Sequence, residues 1–137
     1  MENRKHTRLP IHVRAELQLA GHRTHRGTTL NISFGGACVQ LPGRYDIHPG
    51  EACHLTLVLQ DEPERTTIDI RCEVAHGENN DLGLHFLGIT VDTYQDFRQL
   101  MINHSPDPEL LLEELRNNPG LVMHPPDDTD NTPPGVM

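Results

Sequence analysis

The chain has 137 residues and a mass of 15.4 kDa, which suits one hydrophobic core and is short for two. It carries 11 Lys+Arg against 20 Asp+Glu, for a formal net charge of -9, and this excludes general binding to long DNA or RNA, which needs many phosphate contacts. No apolar run approaches the ~20 residues of a membrane span, and the charged start, Met-Glu-Asn-Arg-Lys, leads into no apolar stretch, so neither membrane insertion nor secretion is expected.

In chain order, Ile11, Val13, Ala15, Leu17 and Leu19 alternate with His12, Arg14, Glu16 and Gln18, the period of two of a half-buried strand. Arg23 to Asn31, rich in Thr, predicts a second strand, and Gly36 to Leu41 a third, closed by Pro42-Gly43. Cys53 to Gln60 follows Pro49-Gly50, with Leu55, Leu57 and Leu59 on one face. Ile68, Ile70, Cys72 and Val74 alternate with Asp69, Arg71 and Glu73. After Asn79-Asn80-Asp81 comes Leu82 to Ile89, with Leu84 and Phe86 facing inward. Six short strands joined by turn signals predict an all-β core, an antiparallel barrel or sandwich. Parallel crossovers have no room, since each needs a dozen or more residues.

Two helices then follow. Tyr94, Phe97, Leu100 and Met101 recur at helical spacing within Thr93 to His104, an apolar face able to close one end of the strands. Asp107-Pro108-Glu109 supplies an N-cap, a first-turn proline and a first-turn acid for a second helix striped by Leu111, Leu112 and Leu115. From residue 119 on there are five prolines, three aspartates and no Lys or Arg, a composition expected to stay disordered. The chain therefore divides into a flexible basic arm (1–9), a barrel domain with its terminal helix (10–104), a second helix (105–118) and a disordered acidic, Pro-rich tail (119–137).

The net charge is an average over unlike parts. Residues 1–26 hold six basic and two acidic residues, whereas 27–90 hold three basic and nine acidic, and 91–137 two and nine. Cations gathered at one end of an acidic protein mark a local anion site. The arm reads Arg4-Lys5-His6-Thr7-Arg8, an R-x-x-x-R just before the first strand, and the junction of strands two and three reads Asn31-Ile32-Ser33-Phe34-Gly35-Gly36, an N-x-S-x-x-G. Arginine forks bond phosphate oxygens bidentately, match the O6/N7 edge of guanine and stack on a base. Asn31 and Ser33 offer base and phosphate hydrogen bonds, and Gly35 and Gly36 offer positive φ and close backbone approach. A phosphorylated guanine ligand suits this set.

With these residues the sequence resembles the PilZ family, bacterial receptors of cyclic di-GMP. Arg4 and Arg8 match its first motif and Asn31, Ser33 and Gly36 its second, while Leu82-Gly83-Leu84-His85-Phe86 is similar to its last barrel strand. The resemblance covers about residues 4–104 and implies a six-stranded antiparallel β-barrel with C-terminal helices packed at one end. It implies that Arg4 and Arg8 clamp the ligand from the arm, that Asn31 and Ser33 bond a guanine and its phosphate, and that Gly35 and Gly36 shape the turn. Lys5 and His76 are implied as additional contacts, His76 lying where some members carry a stacking tryptophan. Ligand binding would fold the arm across the barrel and change the surface offered to a downstream protein, with motility, polysaccharide or adhesion as the output. The number of ligands, one or two, stays open.

Other functions find less support. Cys38, Cys53 and Cys72 fall in separate strands without zinc spacing, as reduced thiols of a cytoplasmic protein would, so no metal or cofactor is expected. The chain lacks G-x-S-x-G, a phosphate loop and H-E-x-x-H, so no enzyme is indicated. The alternative is a PilZ-fold adaptor that binds proteins and no nucleotide.

Overall fold

The computed structural model describes residues 6–19, 24–42, 47–78, 81–119 and 122–124. Six strands, β1 (Arg14–Leu19), β2 (Thr24–Ile32), β3 (Gly36–Gln40), β4 (Ala52–Gln60), β5 (Thr66–Glu78) and β6 (Asp81–Thr90), pair antiparallel in the order β3-β2-β1-β4-β5-β6. Pairing of β3 with β6, Gly36 opposite His85 through Gln40 opposite Asp81, closes the barrel. The alternation seen in sequence becomes burial: Ala15, Leu17, Leu55, Leu57, Ile68, Ile70, Val74, Leu84 and Phe86 all point into the core. Each of the larger of these, the Leu, Ile, Val and Phe side chains, contributes about 1.5–3 kcal/mol on leaving water.

Two helices follow β6, α1 (Val91–His104) and α2 (Pro108–Asn117). Phe97 and Met101 of α1 are fully buried against the barrel. Phe97 meets Phe34 edge-on at 5.4 Å and Phe86 at 5.9 Å, the geometry that sets a positive ring edge on a negative face. Phe34 belongs to the β2–β3 turn, so α1 anchors that turn from inside. Asp107 caps α2 by accepting from the Leu110 N–H, and Leu111 is buried.

Three departures from the sequence reading have physical causes. The first strand starts at Arg14 instead of Ile11, because buried Thr29 takes over the bonding: its hydroxyl donates to the Ile11 carbonyl at 2.6 Å and accepts from the Val13 N–H at 2.9 Å. Within the segment expected to be a disordered tail, Val122–His124 forms a strand, β7, parallel to Gly88–Thr90 of β6. Short β3 covers only Asp81–His85 of β6 and leaves the remaining edge available for pairing. Residues 125–137 lie outside the described residues. The arm is the third departure: its end, His6 to Leu9, is docked, with Leu9 buried and bridged to Ile32. No helix among the described residues is long and apolar enough to cross a membrane.

Candidate functional site

The base of the arm is fixed first. Leu9 and Ile32 exchange two backbone hydrogen bonds, at 2.8 and 2.9 Å, and burial of both side chains keeps that pair dry. The bridge brings Arg8 alongside Asn31, and Arg8 Nη1 donates to Asn31 Oδ1 at 3.0 Å. Thus the two sequence motifs, separated by a strand and a hairpin, meet through one hydrogen bond. β2 contributes to this placement, because its register shifts between Thr29 and Asn31 and so sets Asn31 opposite Cys38.

The second motif is a braced turn. Ser33 is 4% exposed, and its hydroxyl accepts from the N–H groups of Gly35 and Gly36, both at 3.1 Å, while donating to the Gly36 carbonyl at 3.3 Å. These three bonds use the donor and both acceptor sites of the hydroxyl, so Ser33 holds the turn rather than reaching outward. Gly35 and Gly36 do not adopt the positive φ expected of them; Gly50 is the left-handed glycine among the described residues. Their requirement is space. A Cβ on Gly36 would stand 2.4 Å from the Leu84 carbonyl oxygen, and one on Gly35 would stand 2.8 Å from His6 Nδ1.

Arg8, Ser33, Gly35 and Gly36 open onto a cleft of about 530 Å³, within the ~300–1,000 Å³ range of small-ligand sites. His76 of β5 also lines it, and its ring lies over Gly83 so closely that a Cβ there would be 2.2 Å from Nε2. His6, His85, Asn117 and Asn118 also line the cleft. The sequence motifs point to none of these four as a site residue. His85 was recognisable only from the β3–β6 pairing that sets it opposite Gly36. The α2 end gave no signal in sequence. No Asp or Glu lines the cleft among the described residues, although the protein as a whole has net charge -9. Arg4 and Lys5 lie outside the described residues.

Electrostatics beneath the site follow from burial. Cys38, opposite Asn31 on β3, has its thiol pushed up by burial and by the Asp81 carboxylate, partly offset by the Arg8 guanidinium. It is therefore a neutral thiol beside Asn31.

The family model described as the PilZ domain matches residues 2–103. No curated protein matches the sequence. Among solved structures, the barrel is similar to the PilZ domain of YcgR from Escherichia coli with c-di-GMP, at TM-score 0.62 and 13% identity over 85% of this chain and 99% of that one. It is also similar to the Bacillus subtilis inhibitor of motility MotI/DgrA, at TM-score 0.60 and 18% identity over 86% of this chain; this chain spans 53% of that one, about half its length. The PilZ domain of CeSA from a cellulose synthesizing bacterium matches at TM-score 0.52 and 18% identity, over 72% of this chain and 94% of that one. These structural likenesses are likenesses of fold, and the family model spans most of the sequence. That match covers residues 2–103, well over half of the sequence, and the chain belongs to the PilZ domain family.

Proposed function

We propose that this protein is a cytoplasmic cyclic di-GMP receptor that binds the dinucleotide in the cleft and reports it to a downstream protein. One observation carries the reading: an acidic protein presents a cleft lined by Arg8, three histidines and the braced Ser33–Gly36 turn, with no lining carboxylate among the described residues. A ligand with two phosphodiesters and two guanines uses such a lining fully. Arg8 and, from the N-terminal part of the arm, Arg4 pair with phosphate oxygens and guanine O6/N7 edges. Asn31, whose Oδ1 is taken by Arg8, offers its amide donors to a guanine. Ser33 contributes by holding Gly35 and Gly36 flush, so that a flat base approaches the backbone. The His76 ring, seated on Gly83, supplies a stacking face, and Lys5 adds charge at the rim. The structural likeness to a YcgR domain solved with c-di-GMP supports the choice of ligand.

Binding is the whole activity in this reading; no bond is broken and no cofactor is used. The output is a changed surface where arm, barrel and α2 meet, read by a partner in motility, polysaccharide or adhesion control. Calorimetric titration with cyclic di-GMP tests it. The wild type should bind, and Arg8→Ala and Arg4→Ala should each weaken binding about 10–100-fold, the equivalent of losing a charged hydrogen bond of ~1.5–3 kcal/mol. The fitted stoichiometry separates one ligand from two. A folded wild type that gives no heat and shows no binding by a second method would leave the adaptor reading in its place.

A further inference from the structure

The three cysteines are not equivalent. Cys53 of β4 and Cys72 of β5 stand directly opposite each other in the ladder, both turned into the barrel. Directly opposed residues of an antiparallel pair have Cα atoms about 4.5–5.5 Å apart, inside the ~4.4–6.8 Å that a disulfide spans. Cys38 has no such neighbour: its strand pairs with β2 and β6, where it faces Asn31 and Gly83. Cys53 is 9% exposed and lies at the start of β4, opposite Leu19 at the end of β1, whereas Cys72 is 1% exposed.

We propose that Cys53 and Cys72 form a built dithiol site for two-electron oxidation by a peroxide, closing to a reversible cross-strand disulfide. The roles follow from placement. Cys53 is the more accessible sulfur, 9% exposed against 1% for Cys72, so it is the one a peroxide reaches first and is the nucleophile. Cys72 is kept protonated by burial and stays within reach of the Ile70 carbonyl at 3.6 Å, so it is the resolving thiol.

The Cys53 thiolate attacks one oxygen of hydrogen peroxide. A sulfur–oxygen bond forms, the oxygen–oxygen bond breaks, and hydroxide leaves and takes up the proton lost by Cys53. Cys72 sulfur then attacks the sulfenic sulfur; the sulfur–sulfur bond forms, the sulfur–oxygen bond breaks, and the hydroxyl departs as water with the Cys72 proton. Two thiols and one peroxide give one disulfide and two waters. A thiol reductant reverses it. Because Cys72 also faces Phe86 across β6, and Phe86 lines the cleft, the site lies one strand from the ligand cleft but requires nothing of the ligand.

The test uses the full chain. After graded peroxide, the protein is quenched, denatured and alkylated, then weighed intact and as peptides. The wild type should lose about 2 Da before alkylation, as a dithiol closing to a disulfide must, and keep one alkylatable thiol, at Cys38. The Cys53 peptide should appear joined to the Cys72 peptide until reductant is added. Cys38→Ser, which leaves the pair intact, should form the same link. Three alkylatable thiols after oxidation, a link through Cys38, or Cys53 passing to sulfinic acid with Cys72 still free would each overturn the proposal.

Discussion

Thr7 on the arm and Glu114 on α2 are joined twice: the Thr7 N–H donates to one carboxylate oxygen at 2.8 Å and its hydroxyl to the other at 2.6 Å. One residue earlier, His6 donates from Nε2 to the Asn118 carbonyl at the end of the same helix. The second helix therefore acts as a dock for the arm, and Arg8 enters the cleft from a fixed backbone. Glu114→Ala should cost about 1.5–3 kcal/mol, typical of hydrogen bonds to a charged acceptor, and speed amide exchange at Thr7. Glu114→Gln, which still accepts from the N–H, should fall between. Urea titration and hydrogen exchange on the three proteins check this.

The aromatic plug links α1 to the Ser33–Gly36 turn. Removing the Phe97 ring takes away its contacts with both Phe34 and Phe86 and leaves a cavity under the Ser33–Gly36 turn. Phe97→Ala should cost about 3–5 kcal/mol, as large-to-small core changes of this kind do. Phe97→Leu should cost less. Denaturant midpoints measure both.

Two glycines of the site should respond differently to alanine. On Gly83 the new methyl meets the His76 ring, the far end of a side chain on an exposed residue, which can swing away. Gly83→Ala should keep stability within about 1 kcal/mol of wild type while displacing His76 from the cleft. On Gly36 the methyl meets the Leu84 carbonyl, part of the ladder that closes the barrel, and nothing there can rotate out of the way. Gly36→Ala should destabilise by about 1–3 kcal/mol, as overpacking does. Thermal denaturation and the histidine ring resonances distinguish the two cases.

Alkaline pH should weaken the fold. Burial pushes the Tyr94 phenol up, and burial with Asp81 pushes the Cys38 thiol up. For a raised group the unfolded chain ionises first. Its stabilisation is complete below the unfolded value, about 8.5 for a thiol and about 10 for a phenol, and is lost as pH rises through the folded value. The urea midpoint should fall between about pH 8 and 11, and Tyr94→Phe should flatten the upper part of that fall.

Much of the fold was legible because it depends on local periodicity. Leu55-x-Leu57 and Ile68-x-Ile70 alternate with the strand period, and Asp107-Pro108-Glu109 carries its own helix start. The docked arm was not legible, since Thr7 and Glu114 are 107 positions apart and neither is unusual in its own neighbourhood. Strand β7 was hidden by a Pro- and Asp-rich surrounding composition; its cause is an open edge on β6, a property of the assembled sheet. For the candidate site, residue types pointed to Arg8 and Asn31, which one hydrogen bond joins, and to Gly35 and Gly36, which line the same cleft as Arg8. Residue type alone does not show that the Ser33 hydroxyl is engaged by the N–H groups of its own turn, because that depends on how the turn folds back.

In the proposed complex, cyclic di-GMP occupies the cleft between the arm and the Ser33–Gly36 turn. A titration of isotope-labelled protein, followed by amide and side-chain resonances, tests it most directly. The largest shifts should fall on Gly35, Gly36, His76, His85 and the Arg8 guanidinium, and Arg8→Ala should remove them. Saturating ligand that leaves these resonances in place, or moves chiefly those of the β1–β4 face, would contradict it.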